Sequence, residues 1–229
     1  SDGAGVSDVT KKEEFHYEDA WLTGYTYTQE VSIADLTEII SHPLTIQYGN
    51  NRSSVTFTDE IGTERKYTLN EEGYATQCEY ASLDQKRQYT FSYTDGYLTQ
   101  VNEKIMPREG SSDAAVAHTL SLQYDKGDLI STTSPSLTNE SFTEYGELQT
   151  TYPLSFHREA LFAGILGKPT QHLTTASYPE KTSDTYTERT EYTYNFDKNK
   201  KPVSLKISTK YSNGKSTSYL NRTISITIE

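Results

Sequence analysis

The stretch RQYTFSYTDGYLTQV, Arg87 to Val101, constrains the fold more than any other part of the chain. Tyr89, Phe91 and Tyr93 alternate with Gln88, Thr90, Ser92 and Thr94. Successive side chains of a strand project to opposite faces, so the rings share one face and the hydroxyls and amides the other. Asp95-Gly96 then interrupts, and both residue types tolerate the positive φ that a tight primed turn demands. Beyond it Tyr97, Thr99 and Val101 resume on one face, with Leu98 and Gln100 on the other. The unit is a strand, a tight turn and a return strand, buried on one side and wet on the other.

The same plan recurs along the chain. Turns are predicted at Ile61-Gly62, Gly73, Lys126-Gly127, Gly146 and Asp197 to Lys201. Leu120, Leu122 and Tyr124 lead into one of them. Tyr192, Tyr194 and Phe196 lead into another, and Val203, Leu205 and Ile207 lead out. The last strand alternates Ile224, Ile226 and Ile228 with Thr223, Ser225 and Thr227. Ser32 to Ile40 has the i, i+3 spacing of a short helix, but Leu36 to Ile40 reads as a strand because strands follow it. Turn spacing is irregular, so the repeat is a degenerate series of hairpins and not a solenoid or propeller. Strands joined consecutively by short turns form an antiparallel meander.

Two segments depart from the pattern. Met106 to His118 reads as a polar loop between strands. Pro153 to Pro169 reads as helical, with Ser155 as N-cap, no β-branched residue before Ile165, and Gly167 and Pro169 as a stop. Ala160 to Ala163, Ile165 and Leu166 surround its second half with apolar side chains, and an all-round apolar helix must be buried. Phe162 is therefore expected in the core. Residues 1–20 read as a flexible tether and lead-in, and residues 21–229 as a single β-meander domain.

Composition narrows the function classes. Hydrophobic residues make up only 33% of the 229, but 19 tyrosines supply large apolar rings that keep a hydroxyl near water. Aromatics in alternation argue against disorder despite a mean hydropathy of -0.74. The net charge of -11 argues against a nucleic-acid partner and against an anionic membrane surface, both of which need basic patches. The densest basic run, Lys198 to Pro202, sits beside a turn and reads as a solvated loop tip. One cysteine, Cys78, excludes an intrachain disulfide. No apolar run approaches the roughly 20 residues of a spanning helix. The opening SDGAGVSD has no initiator Met and reads as processed.

No catalytic or metal-binding set is legible. His16, His42, His118, His157 and His172 show no metal-ligand spacing, and no cofactor motif is present. Ser155, His157 and Glu159 crowd one helical turn, where residues two apart diverge, and no GxSxG elbow accompanies them. Asp197 to Lys201 lacks the alternating oxygen ligands of a calcium loop. Glu71 and Glu72 are adjacent acids in a turn. Asn51-Arg52-Ser53, Asn139-Glu140-Ser141 and Asn221-Arg222-Thr223 match the glycosylation sequon, as chance allows in a Ser/Thr-rich chain. The ligand-binding candidates are Trp21, Tyr25 and Tyr27, aromatic faces suited to sugar rings, for which a core role is the simpler alternative.

With these residues in hand, the chain resembles a family of Bacteroides-type secreted lipoproteins, a domain of unknown function with degenerate hairpin repeats similar to the YD repeats of Rhs-type proteins. Tyr93 to Leu98, Tyr124 to Leu129, Phe196-Asp197 and the apolar helix Ala160 to Lys168 carry the likeness. The resemblance implies export, a lipidated cysteine just before residue 1, and a place in the cell envelope. It supplies no catalytic residues.

The expected architecture is all-β: a single antiparallel meander, twisted and curled, with a buried helix near residues 155–166 on its concave face. The expected function is a non-enzymatic binding or structural module of the envelope, recognising a glycan or a surface protein. A carrier of lipophilic cargo in a curled-sheet cavity is the alternative, and a hydrolase the third. A monomer is expected, touching membrane only through its anchor.

Overall fold

The structure, a computed structural model, describes residues 8–33, 36–82, 86–107, 111, 114–134, 157–177, 187–213 and 215–226. Ten strands hydrogen-bond in sequence order, each to the next: β1 (Asp8–Glu18), β2 (Trp21–Ile33), β3 (Leu36–Tyr48), β4 (Ser54–Asp59), β5 (Glu64–Leu69), β6 (Ala75–Ala81), β7 (Lys86–Thr94), β8 (Tyr97–Met106), β9 (Val116–Asp125) and β10 (Asp128–Thr133). This is the meander that alternation and turn chemistry predict. Among the described residues no pairing joins β1 to β10, so the sheet is open.

A helix, α1 (Arg158–Phe162), then precedes a second sheet of four strands: β11 (Ala176–Ser177), β12 (Thr187–Phe196), β13 (Pro202–Ser212) and β14 (Thr217–Ser225). Alternation alone predicts one continuous sheet. A tight turn hands each strand to its neighbour, and pairing starts afresh at β11 after α1 and the irregular residues 163–175. The chain divides into two compact units. Unit 1 comprises Ser1–Phe91, Glu103–Ala117 and Glu159–Gly167, and unit 2 comprises Ser92–Asn102, His118–Arg158 and Lys168–Glu229.

The predicted turns have the geometry their residues allow. Asp95 and Gly96 have φ of 53° and 82°, and Lys126 and Gly127 have 50° and 85°, the left-handed pair of a primed hairpin turn. The turn predicted at Gly146 lies outside the described residues. In unit 1, every second residue is buried on Val55 and Phe57, Tyr67 and Leu69, and Tyr89 and Phe91. The rings interlock, with Phe57 and Tyr67 at 5.2 Å and Tyr67 and Phe91 at 6.3 Å between centroids. In unit 2, Tyr192, Leu205 and Ile207 form a buried cluster against which Tyr194 packs.

Four expectations are corrected. The lead-in is not all tether: Asp8–Glu18 forms β1, paired along its length with β2, where Phe15 makes ring contacts with Tyr25 and Phe162. The helix covers only Arg158–Phe162, and its predicted cap Ser155 lies outside the described residues. It stops before Gly167 because Gly164, at φ 72°, closes a Schellman motif: Gly164 N–H donates to Leu161 C=O at 3.0 Å and Ile165 N–H to Ala160 C=O at 3.2 Å. Ile165 and Leu166 therefore leave the helix and bury themselves, while Phe162 stays 41% exposed, its ring 4.3 Å from Phe15. Finally, every residue of β14 is exposed, Ile224 included. Alternation there marks a strand at a sheet edge and not a buried face. Of the Met106–His118 loop, Met106 belongs to β8 and Val116 to His118 belong to β9.

Candidate functional site

β2 carries all three aromatic candidates, and a bulge divides them. Pairing with β1 slips between His16, opposite Gly24, and Tyr17, opposite Leu22. Leu22 and Tyr25 consequently both reach the core although they lie three residues apart, with 0% and 7% exposure. Trp21 is thereby taken off the face shared by Tyr25 and Tyr27. Tyr25 is a core residue: its ring lies 5.1 Å from Phe15, and its hydroxyl donates to Glu13 Oε1 at 3.0 Å. Tyr27 stacks on His42 at 6.1 Å and donates to Gln29 Oε1 at 3.1 Å. Trp21 lines a recess.

That recess, about 430 Å³ and open to solvent, lies between two turns of unit 1. One wall is Asn51, Arg52 and Ser53, and the other is Leu69 to Gly73, with Trp21 at the side. The first turn is a single 3-10 turn, Asn50–Arg52, in which Asn51 has the left-handed φ of 54°. A Cβ at Gly49 would sit 2.3 Å from Ser54 Oγ, so a side chain there requires that hydroxyl to rotate away. In the second turn, Asn70 Oδ1 accepts from the N–H of Glu72 at 3.1 Å and of Tyr74 at 2.8 Å. The walls are tied together by Leu69 N–H donating to Ser53 C=O at 2.8 Å. The recess is thus framed by backbone hydrogen bonds.

Trp21 is held on two sides. The Arg52 guanidinium carbon lies 3.7 Å from its ring centroid, a cation on the electron-rich face. The ring of Tyr48 meets it edge-on at 5.2 Å and 78°. Tyr48 is itself fixed by donating to Leu22 C=O at 3.1 Å, and burial pushes its phenol above the usual value. Arg52, Glu71 and Glu72 are exposed. One cation, two carboxylates and the amide of Asn51 therefore line the recess together with the indole, presenting both donors and acceptors. Sequence reading missed this grouping. The triplet Asn51-Arg52-Ser53, noticed there only as a sequon, is the recess wall, and Glu71-Glu72 is the opposite one.

Elsewhere several reactive side chains are engaged structurally. Glu159 of α1 accepts from Arg65 Nη1 at 2.9 Å, so it serves an ion pair in unit 1. Cys78 is buried, and burial pushes its thiol up to about 12. His42 pairs with Glu60 and His172 with Asp128, each at 2.7 Å. Among the described residues no group of three or more His, Cys, Asp or Glu is placed to hold a metal ion.

Residues 15–204 match a family described as a domain of unknown function (DUF4595) with porin-like fold. The fold is similar to the crystal structure of a porin-like protein from Bacteroides uniformis, with a TM-score of 0.80 and 28% sequence identity over 97% of this chain and 91% of that one. No curated protein matches the chain.

Proposed function

Because this chain belongs to the DUF4595 family of domains with a porin-like fold, we propose that it is a non-enzymatic binding module of the cell envelope, and that a neutral glycan occupies the recess at Trp21. The observation that carries this reading is the recess itself. Its volume falls within the roughly 300–1,000 Å³ of small-ligand sites. Its walls are fixed before any ligand arrives, which lowers the ordering cost of binding. A polyhydroxylated, uncharged ligand suits a rim with Arg52 as donor, Glu71 and Glu72 as acceptors and Asn51 as both. Arg52 covers one face of the indole, so a sugar meets the guanidinium lying on Trp21 and not the bare ring.

The exposed side of the strands supports attachment to the envelope over spanning a membrane. Glu64, Lys66, Glu79 and Lys86 face water on β5, β6 and β7. A transmembrane barrel needs an apolar outer band there. Export and a lipidated cysteine upstream of Ser1 complete the proposal, and metabolic labelling with an alkyne fatty acid in the native host tests that anchor. Against the alternative of a lipid carrier, Phe57, Tyr67 and Phe91 pack their rings together inside unit 1.

A glycan array read with the wild type and with Trp21→Ala and Glu71→Gln/Glu72→Gln variants tests the site. Binding of a neutral glycan by the wild type, weakened about tenfold or more in both variants, is the expected result. An array with no wild-type signal, or equal signals from all three proteins, ends the case for a sugar at Trp21.

A further inference from the structure

The net charge conceals a segregation of charge. Between Lys198 and Ile228 lie seven of the chain's 21 basic residues and none of its 32 acidic ones. Of these, Lys206 and Lys210 lie on β13, and Arg222 lies on β14 opposite Ile207, on the other face. Leu205, Ile207 and Thr209 turn to the buried face of β13. Lys206, Ser208 and Lys210 therefore turn to the opposite face, where both lysines are exposed. At about 3.3 Å per residue they stand roughly 13 Å apart along one strand. Lys200 and Lys201 lie exposed before β13 and Lys215 lies exposed after it.

Cross-strand partners share a face, which identifies the rest of this surface. Lys210 lies opposite Arg189 on β12 and opposite Tyr219 on β14, and Ser208 lies between Glu191 and Asn221. Two cations directly opposite each other on a sheet destabilise it unless something negative intervenes. Glu191 answers Arg189, at 3.1 Å from its Nε, and no acidic residue lies opposite Lys206, whose partners are Thr193 and Thr223. Tyr219 is 61% exposed, a flat ring beside a row of cations.

We propose that this polar face of the second sheet docks an acidic polysaccharide laid along β13. The carboxylate or sulfate groups of such a chain meet Lys206 and Lys210, a sugar ring stacks on Tyr219, and Ser208 and Asn221 bond sugar hydroxyls. A lipid surface fits less well. Surface-seeking elements carry aliphatic and basic groups that enter the interface together, whereas Leu220 and Ile224 lie opposite Thr209 and Leu205 and so belong to the other face. The ligand and the sheet both differ from those of the Trp21 recess, so either site stands if the other fails.

Calorimetric titration of the whole chain with polygalacturonate oligomers, neutral dextran oligomers and phosphatidylglycerol vesicles decides the matter. Polygalacturonate is expected to bind, and dextran not to bind at this face. Raising the salt from about 0.01 M to about 0.15 M, which shortens the Debye length from about 30 Å to about 8 Å, is expected to weaken binding. Lys206→Gln/Lys210→Gln is expected to weaken it about tenfold. Tyr219→Ala should weaken it without changing the salt dependence, and Lys11→Gln on β1 should leave it unchanged. No binding of polygalacturonate, equal binding by the double variant, or vesicles bound as tightly as polygalacturonate overturns the proposal.

Discussion

The hydroxyl of Tyr89 donates a 2.7 Å hydrogen bond to Oε1 of Glu103, and both side chains are buried, at 1% exposure each. Arg87 Nη1 donates to the same oxygen at 3.0 Å. Taking a carboxylate out of water is costly, and an ion pair and hydrogen bonds to it offset that cost. Burial, followed by the bond to Glu103, pushes the Tyr89 phenol far above its usual value, so it stays a neutral donor. Removing Arg87 leaves a buried charge without its counterion, and Arg87→Met is expected to lower stability by about 3 kcal/mol. Tyr89→Phe should lower it by about 2 kcal/mol, the scale of a hydrogen bond to a charged group. Glu103→Leu should cost less than Arg87→Met, because the partly exposed guanidinium can rehydrate. Urea unfolding of the three variants checks the order, and a Glu103→Leu loss larger than that of Arg87→Met contradicts it.

Around α1, burial dictates a contrast between close neighbours. Ile165 is 1% exposed and Phe162 is 41% exposed. Ile165→Ala is expected to destabilise by about 3 kcal/mol, and Phe162→Ala by clearly less. Gly164→Ala meets no atom within 4 Å but must hold φ at 72°, which costs about 1 kcal/mol for a residue with a Cβ. Chemical denaturation curves separate these cases, and a Phe162 loss equal to that of Ile165 places the ring in the core after all.

Cys78 should be chemically silent in the folded protein. Its side chain is buried, and with its thiol pushed up to about 12, it is almost wholly protonated at neutral pH. A thiol-reactive chromophore at pH 8 is expected to label it only after denaturant is added. Rapid stoichiometric labelling of the native protein contradicts the burial.

In unit 2, Asp128 accepts from His172 twice, at its backbone N–H (2.9 Å) and its ring Nδ1 (2.7 Å). The side-chain bond, followed by the backbone bond, holds the Asp128 carboxyl below its ordinary value of 3.8. A carboxyl lowered on folding contributes stability that is fully present above its unfolded value. That contribution is lost as the pH falls through the folded value. Asp128→Asn is thus expected to melt below the wild type at neutral pH, with the gap closing only under pH 3.8 and downwards. Melting curves across pH 2 to 7 test the sign, and a gap that widens on acidification refutes it.

Local chemistry was legible in the sequence of this protein. The turns at Gly62, Gly73, Gly96 and Gly127 and the strands between them follow from two-residue periodicity and from residues that accept positive φ, and both act within a few residues of chain. Tertiary structure decided what lies across strands. The bulge opposite His16 separated Trp21 from Tyr25 and Tyr27, because only pairing with β1 shows where the register slips. Glu103, polar by sequence, is buried where Arg87 and Tyr89 of the adjacent strand both donate to its Oε1. Arg52 reached Trp21 across 31 positions of chain, a contact no local pattern encodes. Likewise, the apolar run after Ala160 divides into the exposed ring of Phe162 and the buried Ile165 and Leu166. Composition marks a segment as apolar, but the Schellman turn at Gly164 and the sheet it lies on decide which of those side chains leaves water.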